Sequence, residues 1–184
     1  MQTVAEDTER QSLPFTEKRA DYMKIAICPG SFDPVTLGDL DIIERASELF
    51  DKVIVLVMSN SSKAGKTAFS VDERIELIKK CITKDNIEVD TYSGLLVNYA
   101  KEKGAVAVVK GLRAVSDFDY EFQQALINKS LNPNLETVFL PAKGDNMFLS
   151  SSLVKEVCSL DGDISSYVPD KIVNDIYLRC KGDK

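Results

Sequence analysis

The sequence predicts an α/β domain: a five-stranded parallel sheet with helices on both faces. Three observations carry this reading. Short apolar runs alternate with stretches of helical period from residue 23 onward. Two of those runs, 53–58 and 105–110, are almost wholly apolar, as strands buried on both faces are. The connections are short, which suits parallel strands joined by crossover helices.

Taken in order, residues 24–28 read as the first strand, followed by a glycine-bearing turn at Pro29-Gly30-Ser31-Phe32-Asp33-Pro34. Residues 40–50 read as a helix with Ile42, Ile43, Ala46, Leu49 and Phe50 facing inward. Residues 53–58 are the second strand. After a polar loop, Ser70 and Glu73 form a capping box that opens a helix to about Cys81. Residues 87–91 are the third strand, and 95–103 a helix stopped by Gly104. Residues 105–110 form the fourth strand, and Ser116 is expected to cap a helix reaching about Ser130. Residues 137–140 are the fifth strand. Ser150 to Ser152 open a helix to about Leu160, and Pro169 stands near the start of a last helix reaching Cys180.

Residues 1–22 are polar and charge-rich with no sustained period. They are expected to be a disordered leader, a cloning remnant or the product of an upstream start, with a partner-binding tail as the other reading. Residues 23–184 form the domain.

Composition excludes several classes of function. The 184 residues suit one domain with a sizeable core, and 44% apolar with 28% charged residues is ordinary for a soluble fold. A net charge of −6 argues against a nonspecific coat on nucleic acid. The chain has no histidine, which removes Ser-His and Cys-His catalysis and imidazole metal ligands. Cys28, Cys81, Cys158 and Cys180 are far apart with no C-x-x-C pair, so they read as reduced, mostly buried thiols of a cytoplasmic protein. No run approaches the ~20 apolar residues of a membrane span.

In such a sheet, ligands bind beyond the carboxyl ends of the strands. Those ends carry the Gly30 turn and a helix start, Lys63 after the second strand, Lys110-Gly111-Leu112-Arg113 after the fourth, and Ser150-Ser151-Ser152 after the fifth. A lone loop lysine or serine cap is ordinary. Their convergence on one rim predicts an anion site, with free backbone N–H groups at a helix start as its floor. Asp39 ends this cradle with a carboxylate, where a phosphate site wants a donor.

At this point the residues match a family. Residues 23 to about 180 resemble the bacterial phosphopantetheine adenylyltransferases, nucleotidyltransferases marked by a T-x-G-H or H-x-G-H signature. The resemblance rests on Pro29-Gly30-Ser31-Phe32-Asp33-Pro34 with Thr36-Leu37-Gly38, and on Phe69-Ser70-Val71-Asp72-Glu73-Arg74. It continues in the run from Lys110 to Phe118 and closes in the run from Ser150 to Glu156.

The resemblance implies a Rossmann-like fold, a hexamer, feedback by coenzyme A, and Mg²⁺-assisted transfer of AMP from ATP to 4′-phosphopantetheine. Carried over, Ser31 and Phe32 would meet ATP, with Ser31 also near the acceptor phosphate. Lys63, Lys110 and Leu96 would bind phosphopantetheine. Gly111, Leu112, Arg113 and Glu121 would hold the nucleotide, and Asn146, Met147, Phe148, Leu149, Ser150, Ser151 and Ser152 would wrap its adenosine and phosphates. Two positions depart from the pattern. Lys110 replaces an arginine and loses its two-pronged grip on phosphate. Asp39 replaces the signature histidine, which in the family contacts the α-phosphate in the transition state.

A carboxylate about 4 Å from a phosphate is repelled by ~4 kcal/mol at an effective dielectric near 20. At a helix start the same group contributes ~0.3–1 kcal/mol with the dipole. Asp39 is therefore expected to favour the fold and impair the chemistry. The alternatives are recruitment of a second Mg²⁺, a non-catalytic ATP or coenzyme A binder, or another transferase, such as one for nicotinate mononucleotide or a polyol phosphate.

Overall fold

The computed structural model describes residues 22–58 and 67–182. Its strands are β1 (Ile25–Gly30), β2 (Lys52–Met58), β3 (Ile87–Tyr92), β4 (Ala107–Leu112) and β5 (Glu136–Pro141). The helices are α1 (Leu37–Leu49), α2 (Val71–Cys81), α3 (Leu96–Lys103), α4 (Val115–Leu131), α5 (Ser151–Ser159) and α6 (Val173–Gly182). The strands form one sheet in the order β3-β2-β1-β4-β5, and every pairing is parallel. The expectation for residues 1–22 falls almost wholly outside the described residues.

Alternation along the strands builds two cores. Ala26, Cys28, Val53, Val55, Val57, Ala107 and Val109 face one side, where they meet Ile43 and Ala46 of α1, Ile78 of α2, Val154 of α5 and Ile176 of α6. Ile27, Ile54, Leu56 and Val108 face the other, against Val97, Tyr99 and Ala100 of α3 and Leu135. With period 2 on strands buried on both faces, each residue must find an apolar partner layer, which explains the continuous apolar runs.

Several boundaries differ from the sequence reading. α1 begins at Leu37 rather than Leu40, because Thr36 and Asp39 form a capping box. Leu49 is 59% exposed rather than inward, since α1 packs on Ile42, Ile43 and Ala46. Ser116 is not the cap of α4: Ala114 holds that position without a side-chain bond, and Asp117 instead accepts from the N–H of Arg113 at 3.4 Å. β1 continues through Pro29 and Gly30, and β4 runs from 107 to 112 rather than from 105 to 110. Pro169 precedes a 3₁₀ turn, Asp170–Ile172, that leads into α6. The Ser70–Glu73 capping box of α2 is present as expected.

Candidate active site

The chain runs outward in one direction through β1, β2 and β3 and in the other through β4 and β5, so the switch point lies between β1 and β4. Open α/β sheets bind ligands at that point. The register shows how a space forms there. β1 pairs with β2 over six positions but with β4 only at Ala26↔Ala107 and Ile27↔Val108. Past Ile27 and Val108 the two strands part, and a cavity of about 450 Å³ opens between their ends. That is an ordinary size for a small-molecule site.

The walls come from four places. Gly30, Ser31 and Phe32 supply the end of β1 and its turn, and Lys110, Gly111 and Arg113 the end of β4. Thr36, Gly38 and Asp39 supply the start of α1, and Ser150, Ser151 and Ser152 the start of α5. Two helix N-termini therefore face one space, each presenting the positive end of a dipole, while at α1 the Leu37 and Asp39 N–H groups are taken by the Tyr167 carbonyl and the Thr36 hydroxyl. Phe32 has a φ of 47°, unusual for a bulky residue, which turns the chain sharply out of β1. Gly111 allows a close approach: a Cβ there would stand 2.9 Å from Cγ1 of Ile42.

Charge in the cavity is balanced and engaged. Among the described residues its lining carries two cations, Lys110 and Arg113, and two carboxylates, Asp39 and Glu121. Lys110 Nζ lies 3.0 Å from Glu121 Oε2, close enough for an ion pair but without hydrogen-bond alignment. Arg113 Nε donates to Asp117 at 3.1 Å, and its Nη1 donates to the Leu149 carbonyl at 2.7 Å. The Ser150 hydroxyl caps α5 by accepting from the N–H of Leu153 at 3.2 Å.

Asp39 Oδ2 accepts two bonds from Thr36, one from the backbone N–H and one from the hydroxyl, both at 2.8 Å. Burial pushes its carboxyl above the ordinary carboxylate range, partly offset by the Thr36 bonds and the Arg113 guanidinium. Burial also pushes the Cys28 thiol up to about 12, against the pull of Lys110, so it stays a neutral thiol.

The structure brings most of the residues singled out above into this one space. Ser31, Phe32, Asp39, Lys110, Gly111, Arg113, Glu121, Asn146, Leu149, Ser150, Ser151 and Ser152 line it. Leu112, Met147 and Phe148 do not: Leu112 lies in register with Pro141, Met147 is 51% exposed, and Phe148 stands edge-on to Tyr167 at 5.8 Å. Leu96 packs against the core on the opposite face of the sheet. Lys63 lies outside the described residues. Ile42, Cys28 and Thr36 of the Thr36-Leu37-Gly38 run also line the cavity, though the sequence assigns none of them a role there. Thr36 had a signal, a hydroxyl three residues before an acid.

The cytidylyltransferase-like family pattern matches residues 27–157, which contain every element of the cavity. The phosphopantetheine adenylyltransferase of Caldanaerobacter subterraneus subsp. tengcongensis is 53% identical over 161 residues, covering 86% of this chain and 99% of that protein. Its counterpart from Alkaliphilus metalliredigens is 55% identical over 152 residues, covering 82% and 96%. The chain belongs to the phosphopantetheine adenylyltransferase family. Among solved structures, Plasmodium falciparum nicotinic acid mononucleotide adenylyltransferase complexed with APC superposes with a TM-score of 0.63. It is 14% identical, over 87% of this chain and 96% of that one. At that identity the match speaks for the fold alone: the phosphopantetheine adenylyltransferases share their architecture with transferases of other names.

Proposed function

We propose that this chain transfers the adenylyl group of ATP to 4′-phosphopantetheine, forming dephospho-coenzyme A and pyrophosphate. The observation that carries this reading is identity above 50% to named phosphopantetheine adenylyltransferases over more than four-fifths of the chain. In the reaction an acceptor phosphate oxygen attacks the α-phosphorus, the bond to the β-phosphate bridge breaks, and pyrophosphate leaves with the electron pair. The acceptor is its own nucleophile. A chain with no histidine and a neutral Cys28 can therefore run it by positioning and charge stabilisation.

The N–H groups around Ser31 and Phe32 and at the start of α5 would grip phosphate oxygens. Lys110 and Arg113 would exchange Glu121 and Asp117 for phosphate, with Lys63 and Leu96 on the acceptor side. Among the described residues no group of three His, Cys, Asp or Glu could hold a metal ion. Mg²⁺ commonly takes one or two carboxylates besides substrate phosphates, and the lining offers Asp39 and Glu121. There it would neutralise phosphate charge. A Mg²⁺ held beside Asp39 is the alternative for that residue, in which the metal's charge would replace that of the missing imidazole.

Asp39 impairs the chemistry in this reading, because it adds a negative charge and removes a donor where the α-phosphate reacts. That same residue favours the second reading, a protein that binds ATP or coenzyme A without turnover. The family assignment also motivates a cytoplasmic homohexamer with coenzyme A as feedback ligand. The apolar outer face of α4 suits assembly: Phe122 is 44%, Leu126 55% and Ile127 51% exposed. No helix among the described residues is long and apolar enough to cross a membrane.

A panel of acceptors tests the reaction. Pyrophosphate release from ATP that requires phosphopantetheine, and is absent with nicotinate mononucleotide or with CTP and a polyol phosphate, supports it. Release with one of the other acceptors would overturn it. Binding of ATP without release in any mixture would favour the non-catalytic reading.

A further inference from the structure

The turn that follows β1 is held from behind by side chains that do not line the cavity. Asp33 is 4% exposed and accepts three donors. The N–H of Phe69 reaches Oδ1 at 2.9 Å, the N–H of Ala68 reaches Oδ2 at 3.1 Å, and Lys155 Nζ reaches Oδ2 at 2.6 Å. Arg74, equally buried, donates Nη1 to the Ser31 carbonyl at 2.7 Å. Between these anchors Phe32 keeps its positive φ of 47°. A bulky residue persists in that region only where its surroundings over-determine it.

Two of the contacts come from the amino end of α5. The Ser151 hydroxyl donates to the Pro34 carbonyl at 2.8 Å, and Lys155, one turn further along the helix, pairs with Asp33. They land on adjacent residues of the turn, Pro34 and Asp33. The rest of that turn, Ser31 and Phe32, and the serines at the start of α5 face the same cavity. The distance between these two walls is therefore set by the Asp33–Lys155 pair and its hydroxyl companion. Burying a carboxylate is costly unless it is paired and fully hydrogen-bonded, so the pair is a strong local constraint.

We infer that Asp33 and Lys155 are positioning residues for the nucleotide. They hold the serine-bearing end of α5 at the separation from the β1 turn that grips the phosphates of ATP, without touching ATP. This rests on the cavity being the ATP site. Fixed second-layer contacts of this kind keep a binding constellation within the narrow tolerance that it needs.

The test is a calorimetric titration of wild type, Lys155→Met and Lys155→Arg with an α,β-methylene analogue of ATP and, separately, with 4′-phosphopantetheine. Lys155 is 30% exposed, so methionine keeps the stem's packing and removes the charge. The analogue is expected to bind Lys155→Met about tenfold or more weakly, the scale of loss that a small misplacement produces. Lys155→Arg should recover to within about threefold of wild type, and phosphopantetheine affinity should stay within about twofold in all three. Should the methionine variant melt too early to titrate, Lys155→Gln is read for the same split between ligands. Unchanged analogue binding, equal loss of both ligands, or no recovery with arginine would overturn the positioning role while leaving the ATP site intact. Failure of the wild type to bind the analogue would instead remove the ATP site, and the inference with it.

Discussion

Thr36 grips the Asp39 carboxylate twice, with its backbone N–H and its hydroxyl each 2.8 Å from Oδ2, while the N–H of Asp39 donates back to the hydroxyl at 3.2 Å. The residue that stands at the signature histidine position is thus a working half of a helix cap. The cap ties it to the first turn of α1 inside the cavity wall, so its charge stays where the phosphates would lie.

Burial raises the Asp39 carboxyl, more than the Thr36 bonds and Arg113 lower it. A raised acid contributes stability that is complete below its unfolded value, about 3.9, and is lost as pH climbs through the folded value. Asp39→Asn keeps an acceptor for both Thr36 donors and has no charge to bury. Its melting temperature relative to wild type should therefore rise as pH is raised from 4 toward 7. A difference, variant minus wild type, that stays constant or falls over that range would show that the carboxylate is well solvated.

Gly111 meets Ile42 where the fourth strand opens into the cavity. In Gly111→Ala the new methyl would stand 2.9 Å from Ile42 Cγ1, and overpacking of this kind costs about 1–3 kcal/mol. Chemical denaturation should show that loss for the single variant. The pair Gly111→Ala with Ile42→Ala, which removes both Cγ1 and Cδ1, should be more stable than the sum of the two single changes predicts. Simple additivity would mean that the strand yields instead.

Arg74 links the start of α2 to the β1 turn through bonds to the Ser31 and Ser70 carbonyls, at 2.7 and 3.3 Å. Lysine cannot span both acceptors with one ammonium. Arg74→Lys is expected to lose about 1–3 kcal/mol by urea unfolding at unchanged m-value, because a buried cation gives up one of its two carbonyl partners. A loss well under that range would place these bonds among the dispensable ones.

The Cys28 thiol lines the cavity yet stays protonated at physiological pH, since burial pushes it up to about 12. Native protein treated with iodoacetamide at pH 8 should carry label at Cys180, which is half-buried, long before Cys28. Mass spectrometry of the peptides reads this directly. Early labelling of Cys28 would mean that the cavity floor opens.

The sheet was legible because its strands are the apolar runs, and the Ser70–Glu73 cap because both partners lie close in sequence. Most site residues were legible for a related reason: the ends of β1, β4 and β5 are where a parallel sheet exposes its loops. What escaped was pairing across the chain. Nothing local links Asp33 to Lys155, 122 positions on, or tells Lys110 that Glu121 will share its wall. Leu49 points outward because helical period marks a face but not its width, and at this end of α1 it is Phe50 that packs against the core. The Thr36–Asp39 pair is a weaker signal in the sequence, because Thr-x-x-Asp is a shortened form of the usual capping box.

The most direct test is pyrophosphate release from ATP and 4′-phosphopantetheine by wild type and Asp39→His, measured side by side. Relief of a ~4 kcal/mol repulsion corresponds to roughly a thousandfold at most. Wild type should show slow, phosphopantetheine-dependent release that rises about a hundredfold to a thousandfold in the histidine variant, with ATP affinity little changed. Rapid release by wild type that the substitution leaves unaltered would contradict it.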